Sequence, residues 1–482
     1  MESSPSPAPA PSAPGAPAPA STPSPEAAVS ARTIGALAIP ALGALIAEPL
    51  FLLVDSVFVG HVSTVALAGL GLASTILTTI VGLAIFLAYS TTAAVARAVG
   101  EGNMRRAVTK GVDATWLAAG IGVVCAILLA VFTGPLLGLF GPSPEVAAQA
   151  ATYLRISAIG LPAMLLIQAA MGLVRGLQNT TITLVIAALG AGANIPLNWV
   201  LIFGLDMGIA GSAIGTVVCQ WAMAACYLVI VVRGALRHEV PLSPSGGGVS
   251  SAWRDARWLF VRTVSLRIVL LVATAVAIKL GDVTLAAHQL MNSVFALAAL
   301  ALDSLAIAAQ ALTGKYLGAR DRTSVEFVTR TLIRWSLAGG AAVALLVLAG
   351  AFVMPGIFTP DPDVQQSLFW ALIVFLVAQP LAGYVFVLDG VYMGAGDARY
   401  LGLAGILTMA VYLPFAGALW WAADSGRIQT DSPYGLALLW AIFTVVFLGS
   451  RAVTLWWRGR TDAWMHLADI PTGPSPTSPA TR

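Results

Sequence analysis

The chain has 482 residues, 58% of them hydrophobic and only 10% charged, with a mean hydropathy of +0.87. That composition excludes a soluble globular domain and describes a polytopic membrane protein. The net charge is only +3, and its basic residues sit in short connections instead of on an aromatic-interleaved helical face, so nothing points to nucleic-acid recognition.

Residues 1–30 are a Pro-, Ala- and Ser-rich run that cannot bury a core and reads as a disordered cytoplasmic tail. It lacks the basic start and apolar run of a signal peptide. Apolar stretches long enough to cross a bilayer then recur near 33–59, 65–95, 111–135, 151–175, 181–204 and 209–232. A second set follows near 258–280, 284–312, 331–354, 367–393, 400–422 and 434–457. The sequence therefore predicts an all-α membrane protein of twelve transmembrane helices in two pseudo-symmetric six-helix bundles. Its lobes are 31–232 and 258–458, joined by a cytoplasmic linker over 233–257 with SPSGGG in its middle, and a polar tail covers 459–482. Trp456 and Trp457 before Arg458 read as an interfacial anchor.

Lys and Arg set the orientation. Arg97, Arg105, Arg106 and Lys110 follow helix 2, Arg233, Arg237, Arg254 and Arg257 follow helix 6, and Lys315, Arg320 and Arg322 follow helix 8. The opposite connections hold Asp206, Asp361, Asp363, Asp424 and Asp431, so both termini are expected in the cytoplasm. The halves are also related by a constant offset: Gly100, Pro142, Pro162, Gly172 and Gly176 each fall 218 residues before Gly318, Pro360, Pro380, Gly390 and Gly394. FGPSPEV returns as FTPDPDV, and GLVRGLQNT as GVYMGAGDA. Because six is even, the copies cross in the same direction, as parallel repeats about an axis along the membrane normal, and enclose a cleft.

Glu48 and Asp55 are carboxylates inside an otherwise apolar helix, seven residues and so nearly two full turns apart on one face. An ionised Asp in hydrocarbon costs roughly 2.5–3.5 kcal/mol on insertion scales, so such a residue marks a bundle interior or a watery cavity. Asp303 in helix 8 and Asp389 in helix 10 are the acids of the second lobe at membrane depth. Cys125, Cys219 and Cys226 lack CxxC spacing and read as free thiols. The four histidines are scattered, and no HExxH, GxSxG, GxxxxGK[ST] or GxGxxG motif stands in its required setting, so neither an enzyme nor a nucleotide-driven pump is indicated. No cofactor or metal is called for, and active transport must draw on an ion gradient or on another chain.

With these elements placed, EPLFLLVDSVFVGHVSTVALAGLGLAS, GLVRGLQNT, NIPLNWVLIFG, GIAGSAIGT, IAAQALTGKYLGARD and LDGVYMGAGD, in this order and spacing, resemble the MATE (multidrug and toxic compound extrusion) transporters, specifically their DinF-like branch. The resemblance covers Thr33 to Trp457 and implies two bundles in a V that exchange substrate for H⁺ or Na⁺ by alternating access. It matches the family's helix-1 aspartate to Asp55 and its helix-1 bend to Pro40. In helix 5 it matches Asn194, while Asn198 stands where the family often has an acid, which argues against a direct Na⁺ site.

The coupling candidates are thus Asp55, Asn194, Asn198 and Glu48, with a purely structural hydrogen-bonded acid as the alternative for Asp55. Asn194 and Asn198, at i and i+4, share a face and can serve that carboxylate or act as interhelical polar glue. Asp303, Gln289, Asn292 and Asp389 are the cavity candidates of the second lobe, and Phe51, Phe86, Phe295, Tyr384 and Phe386 the aromatic ones. The expected function is a secondary antiporter that exports organic, cationic and amphipathic compounds in exchange for H⁺, with Na⁺ the second choice. Its partners are small organic substrates and membrane lipid, with no nucleic acid and no obligate protein partner, and its place is the bacterial inner membrane. A lipid-linked precursor flippase of the same superfamily is the alternative; it would favour a strongly cationic cavity, whereas the arginines sit mostly in loops with Arg267 the exception. A passive channel or sensor fits a duplicated design with buried acids less well.

Overall fold

The computed structural model describes residues 31–244 and 246–465. The expected tails at 1–30 and beyond residue 465 lie outside the described residues. Among the described residues, eleven helices are long and apolar enough to cross a membrane, and a bent pair makes a twelfth. In chain order they are α1 (Arg32–Gly60), α2 (Thr64–Gly100), α3 (Met104–Gly138), α4 (Pro144–Ala158 with Leu161–Gly176), α5 (Thr180–Gly204) and α6 (Gly208–Arg237). The second half comprises α7 (Gly247–Leu280), α8 (Asp282–Gly318), α9 (Arg322–Ala351), α10 (Pro362–Ala395), α11 (Ala398–Asp424) and α12 (Gly435–Gly459).

The polar stretch expected as a linker is mostly helix. α6 runs to Arg237 and α7 starts at Gly247, because Ser, Trp, Arg and Asp between 250 and 257 all tolerate a helix. α4 bends by 51° at Ile159 and Gly160, ahead of Pro162, whose ring removes a backbone donor and crowds the preceding turn. α10 carries the equivalent Pro380 and stays one helix, as α1 does through Pro40 and Pro49.

The repeat is visible in the packing. α1 lies on α5, α2 on α4 and α3 on α4; in the second half α7 lies on α11, α8 on α10 and α9 on α10. Close helix approaches recur at the same offset: a Cβ on Gly172 would strike the carbonyl oxygen of Ala88, and one on Gly390 that of Ala306, 218 residues on in both cases. The turns recur too. Gly102 and Arg320 hold φ of 72° and 57°, and Gln178 and Gly396 hold 63° and 81°. Beside the first pair, Asn103 accepts from the N–H of Arg106 at 2.9 Å and Asp321 from that of Ser324 at 3.0 Å, capping α3 and α9 alike.

The two halves meet where α2 crosses α8, flanked by α1 on α8 and α7 on α2. At the face carrying the basic connections the backbones touch: a Cβ on Gly100 would overlap the carbonyl oxygen of Lys315, and one on Gly318 that of Arg97. Small residues are what permit such an approach in a membrane, where dispersion rather than hydrophobicity draws helices together. Two helix C-termini, both negative dipole ends, are thereby placed side by side. Their cations compensate across the seam. Arg97 Nη1 donates to Ala395 O at 2.8 Å, and Lys315 Nζ donates to Gln178 Oε1 at 3.1 Å.

Candidate functional site

α1, α5 and α6 build the first site. Asp55 is 1% exposed, while Asn194 and Asn198 are fully buried. Asn198 Nδ2 donates to Asp55 Oδ1 in a very short contact and to Asn194 Oδ1 at 3.0 Å, and Thr216 Oγ1 donates to Asp55 Oδ2 at 3.0 Å. No Lys or Arg pairs with Asp55 among the described residues; neutral donors alone hold it. Asn194 Nδ2 and Asn198 Oδ1 have no partner among the described residues. Gly215 makes the arrangement possible, since a Cβ there would overlap Asn198 Oδ1.

The aspartate and the two asparagines are therefore brought together across α1 and α5. Thr216 closes the GIAGSAIGT motif, but nothing in its local sequence marks it as a partner of Asp55. Glu48 sits in α1, but its side chain lies outside the described residues. Pro40 is half-buried within the same continuous helix. Thr216 also lines a cavity of ≈ 170 Å³, with Phe51, Tyr153, Gln168, Met223 and Tyr227 around it, so the Asp55 cluster borders open space in the first half.

The second half holds a larger cavity of ≈ 520 Å³. Phe295, Phe375, Trp440, Phe443 and Phe447 form an aromatic wall, with ring centroids 5.3–6.2 Å apart in tilted and edge-on pairs. Asp303 and Asn292 line this cavity, and so do Phe295 and Phe386. Gln289 does not. It is exposed, and its place three residues before Asn292 turns it 60° round α8 from the lining. Phe86 instead packs edge-on against Trp253 and Phe260, and Tyr384 packs against the core.

Asp389 is not a free acid. Its Oδ2 accepts from Arg262 Nη2 at 2.8 Å and Arg451 Nε at 3.2 Å, and its Oδ1 from Arg451 Nη2 at 2.5 Å. The expectation of arginines mostly in loops, with Arg267 the exception, is corrected by Arg262 and Arg451, which line the larger cavity beside Arg267. Arginines survive at membrane depth when they face a cavity and pair with a carboxylate. The signal was an Arg within an apolar run of α7 and another within α12.

A protein-family model named MatE matches residues 40–200 and again 259–418, one match in each half. The chain is 26% identical over 466 residues to "Protein DETOXIFICATION 45, chloroplastic" of Arabidopsis thaliana, covering 91% of this chain and 80% of that protein. It is 30% identical over 409 residues to "DNA damage-inducible protein F" of Escherichia coli (strain K12), covering 80% and 87% respectively. Among solved structures it resembles the bent form of the Vibrio cholerae MATE transporter VcmN, with a TM-score of 0.78 at 21% identity over 91% of this chain and 97% of that one. A MOP superfamily transporter from Pyrococcus furiosus superposes with a TM-score of 0.79 at 21% identity over 90% and 96% of the two chains. With both halves matched by the family model and the fold shared throughout, the chain belongs to the MatE family of multi-pass membrane transporters for multidrug and toxic-compound efflux.

Proposed function

We propose that the protein is a proton-coupled antiporter that exports small organic compounds by alternating access of its two halves, with Asp55 as the proton carrier and the basic face in the cytoplasm. The observation that carries this reading is a buried carboxylate held only by neutral donors, Asn198 and Thr216. With no cation fixed beside it, its charge can be removed by one proton, and the two donors then lose a charged acceptor. Hydrogen bonds to charged groups contribute about 1.5–3 kcal/mol against 0.5–1.5 for neutral ones, so protonation loosens the link between α1, α5 and α6. Na⁺ fits less well: both carboxylate oxygens already accept from N–H or O–H donors, and Asn198 turns its nitrogen toward Asp55.

The test is efflux of a fluorescent planar dye from proteoliposomes under an imposed pH or Na⁺ gradient, with wild type beside Asp55→Asn. Efflux driven by the pH gradient and lost in Asp55→Asn supports the reading. Efflux that survives the substitution removes Asp55 from coupling, and efflux driven by Na⁺ alone replaces the ion. The arginines of the larger cavity favour a second reading, movement of a lipid with an anionic headgroup, and a protein that scrambles such a lipid but moves no dye would establish it.

A further inference from the structure

We infer that the larger cavity is a binding site for amphipathic organic compounds that carry a net negative charge, the anionic group docking on Arg267 and the apolar body on the aromatic wall. This inference deepens the transport reading and rests on it for the purpose of the cavity. Its support is the inventory of charge around one apolar space. Arg262, Arg267 and Arg451 stand against Asp303 and Asp389, an excess of one positive charge. Asp389 spends both oxygens on Arg262 and Arg451, so one carboxylate already serves two guanidinium groups. Arg262 Nε, a buried atom, has no partner among the described residues.

Arg267 has no hydrogen-bond or ion-pair partner among the described residues, and it is solvent-accessible, not buried. An accessible guanidinium with no ion-pair partner keeps its donors free for a ligand, and a planar carboxylate, sulfonate or phosphate is the group whose oxygens match them. Its position adds to the argument. The Arg267 guanidinium lies against Gly82 of α2, where a Cβ would overlap Nη2, so it reaches from the second half to the first, and both residues line the cavity. A ligand held there touches both halves and is exposed to their relative movement. The remaining wall, from Phe295 to Phe447, suits a flat hydrocarbon body. The cationic substrates expected from the sequence would meet Asp303 alone.

Equilibrium dialysis of the purified full-length protein in detergent, with no gradient, tests this independently of proton coupling. The probes are pyrenebutyrate and pyrenebutyl-trimethylammonium, which share a ring system and differ in charge. Wild type is expected to bind the carboxylate about tenfold or more tightly than the ammonium. Arg267→Gln should lose about tenfold in affinity for the carboxylate, Arg267→Lys should keep the preference for the anion, and Arg267→Glu should reverse it. Arg330→Gln, which removes a lipid- or solvent-exposed charge on α9, should change nothing. Equal or tighter binding of the ammonium, or an undiminished carboxylate affinity in a monodisperse Arg267→Gln protein, overturns the inference. An anionic lipid presents the same chemistry. Displacement of pyrenebutyrate by added phosphatidylglycerol would make headgroups the natural occupant, and failure to displace it would make soluble anions so, with the charge preference upheld in either case. Because no gradient is imposed, loss of dye transport with intact anion binding would count against the coupling reading alone.

Discussion

Gly100→Ala should open the seam between the halves at the basic face. The new methyl would overlap the carbonyl oxygen of Lys315 and stand 2.8 Å from its carbonyl carbon and 2.9 Å from Ala319 N. These are backbone atoms that no rotamer change can move, and carbon contacts settle near 3.5–4.0 Å, so α2 and α8 must part by roughly 1 Å. Overpacking of this kind costs about 1–3 kcal/mol. The cost falls only on the arrangement in which the seam is closed, so its equilibrium with any arrangement open at that face shifts by about 5- to 150-fold. Gly318→Ala, against the carbonyl of Arg97, should act alike, and the double variant should fall short of the sum because the first methyl already separates the helices.

The measurement is a spin-label distance between Arg105→Cys and Thr323→Cys, exposed positions related by the 218-residue offset, in a background lacking Cys125, Cys219 and Cys226. Lipid nanodiscs provide the setting. The variants should enrich the longer distances. Gly120→Ala, where a Cβ meets nothing within 4 Å, should leave the distribution as in wild type. Identical distributions for wild type, Gly100→Ala and Gly318→Ala would refute the claim that these glycines hold the seam.

Asp389→Asn should destabilise the protein by about 3–5 kcal/mol, because it leaves the guanidinium groups of Arg262 and Arg451 buried without their shared carboxylate. Thermal unfolding in detergent reads this, and a loss no larger than that of an exposed substitution such as Glu326→Gln would contradict the charge assignment. Transport should also sense the membrane potential. Export of a monoanion against one inward proton moves two charges, so 100 mV, inside negative, contributes about 4.6 kcal/mol, whereas the same exchange with a monocation moves none. A valinomycin-imposed potassium potential should therefore accelerate efflux of pyrenebutyrate and leave any efflux of pyrenebutyl-trimethylammonium unchanged.

Much of this protein is legible in one dimension because a bilayer allows few solutions. Backbone polar groups must be satisfied within each span, so twelve apolar stretches mean helices, and a constant 218-residue offset means duplicated bundles. Asp55 could be picked out because an acid in hydrocarbon is costly wherever it occurs, and Asn194 and Asn198 because i and i+4 share a helix face. The partners across helices could not be read this way. Thr216 lies 161 residues from Asp55, and only the packing of α6 against α1 turns its hydroxyl into a donor. Asp389 reads in sequence as an available acid, and only the fold brings Arg262 and Arg451, 127 and 62 residues away, against it. Periodicity reports which face of a helix a residue occupies, not which neighbour that face meets. Local sequence thus determined the spans, the repeat and the buried acid, while tertiary structure alone decided which charges are paired, leaving Arg267 of the larger cavity without an ion-pair partner among the described residues.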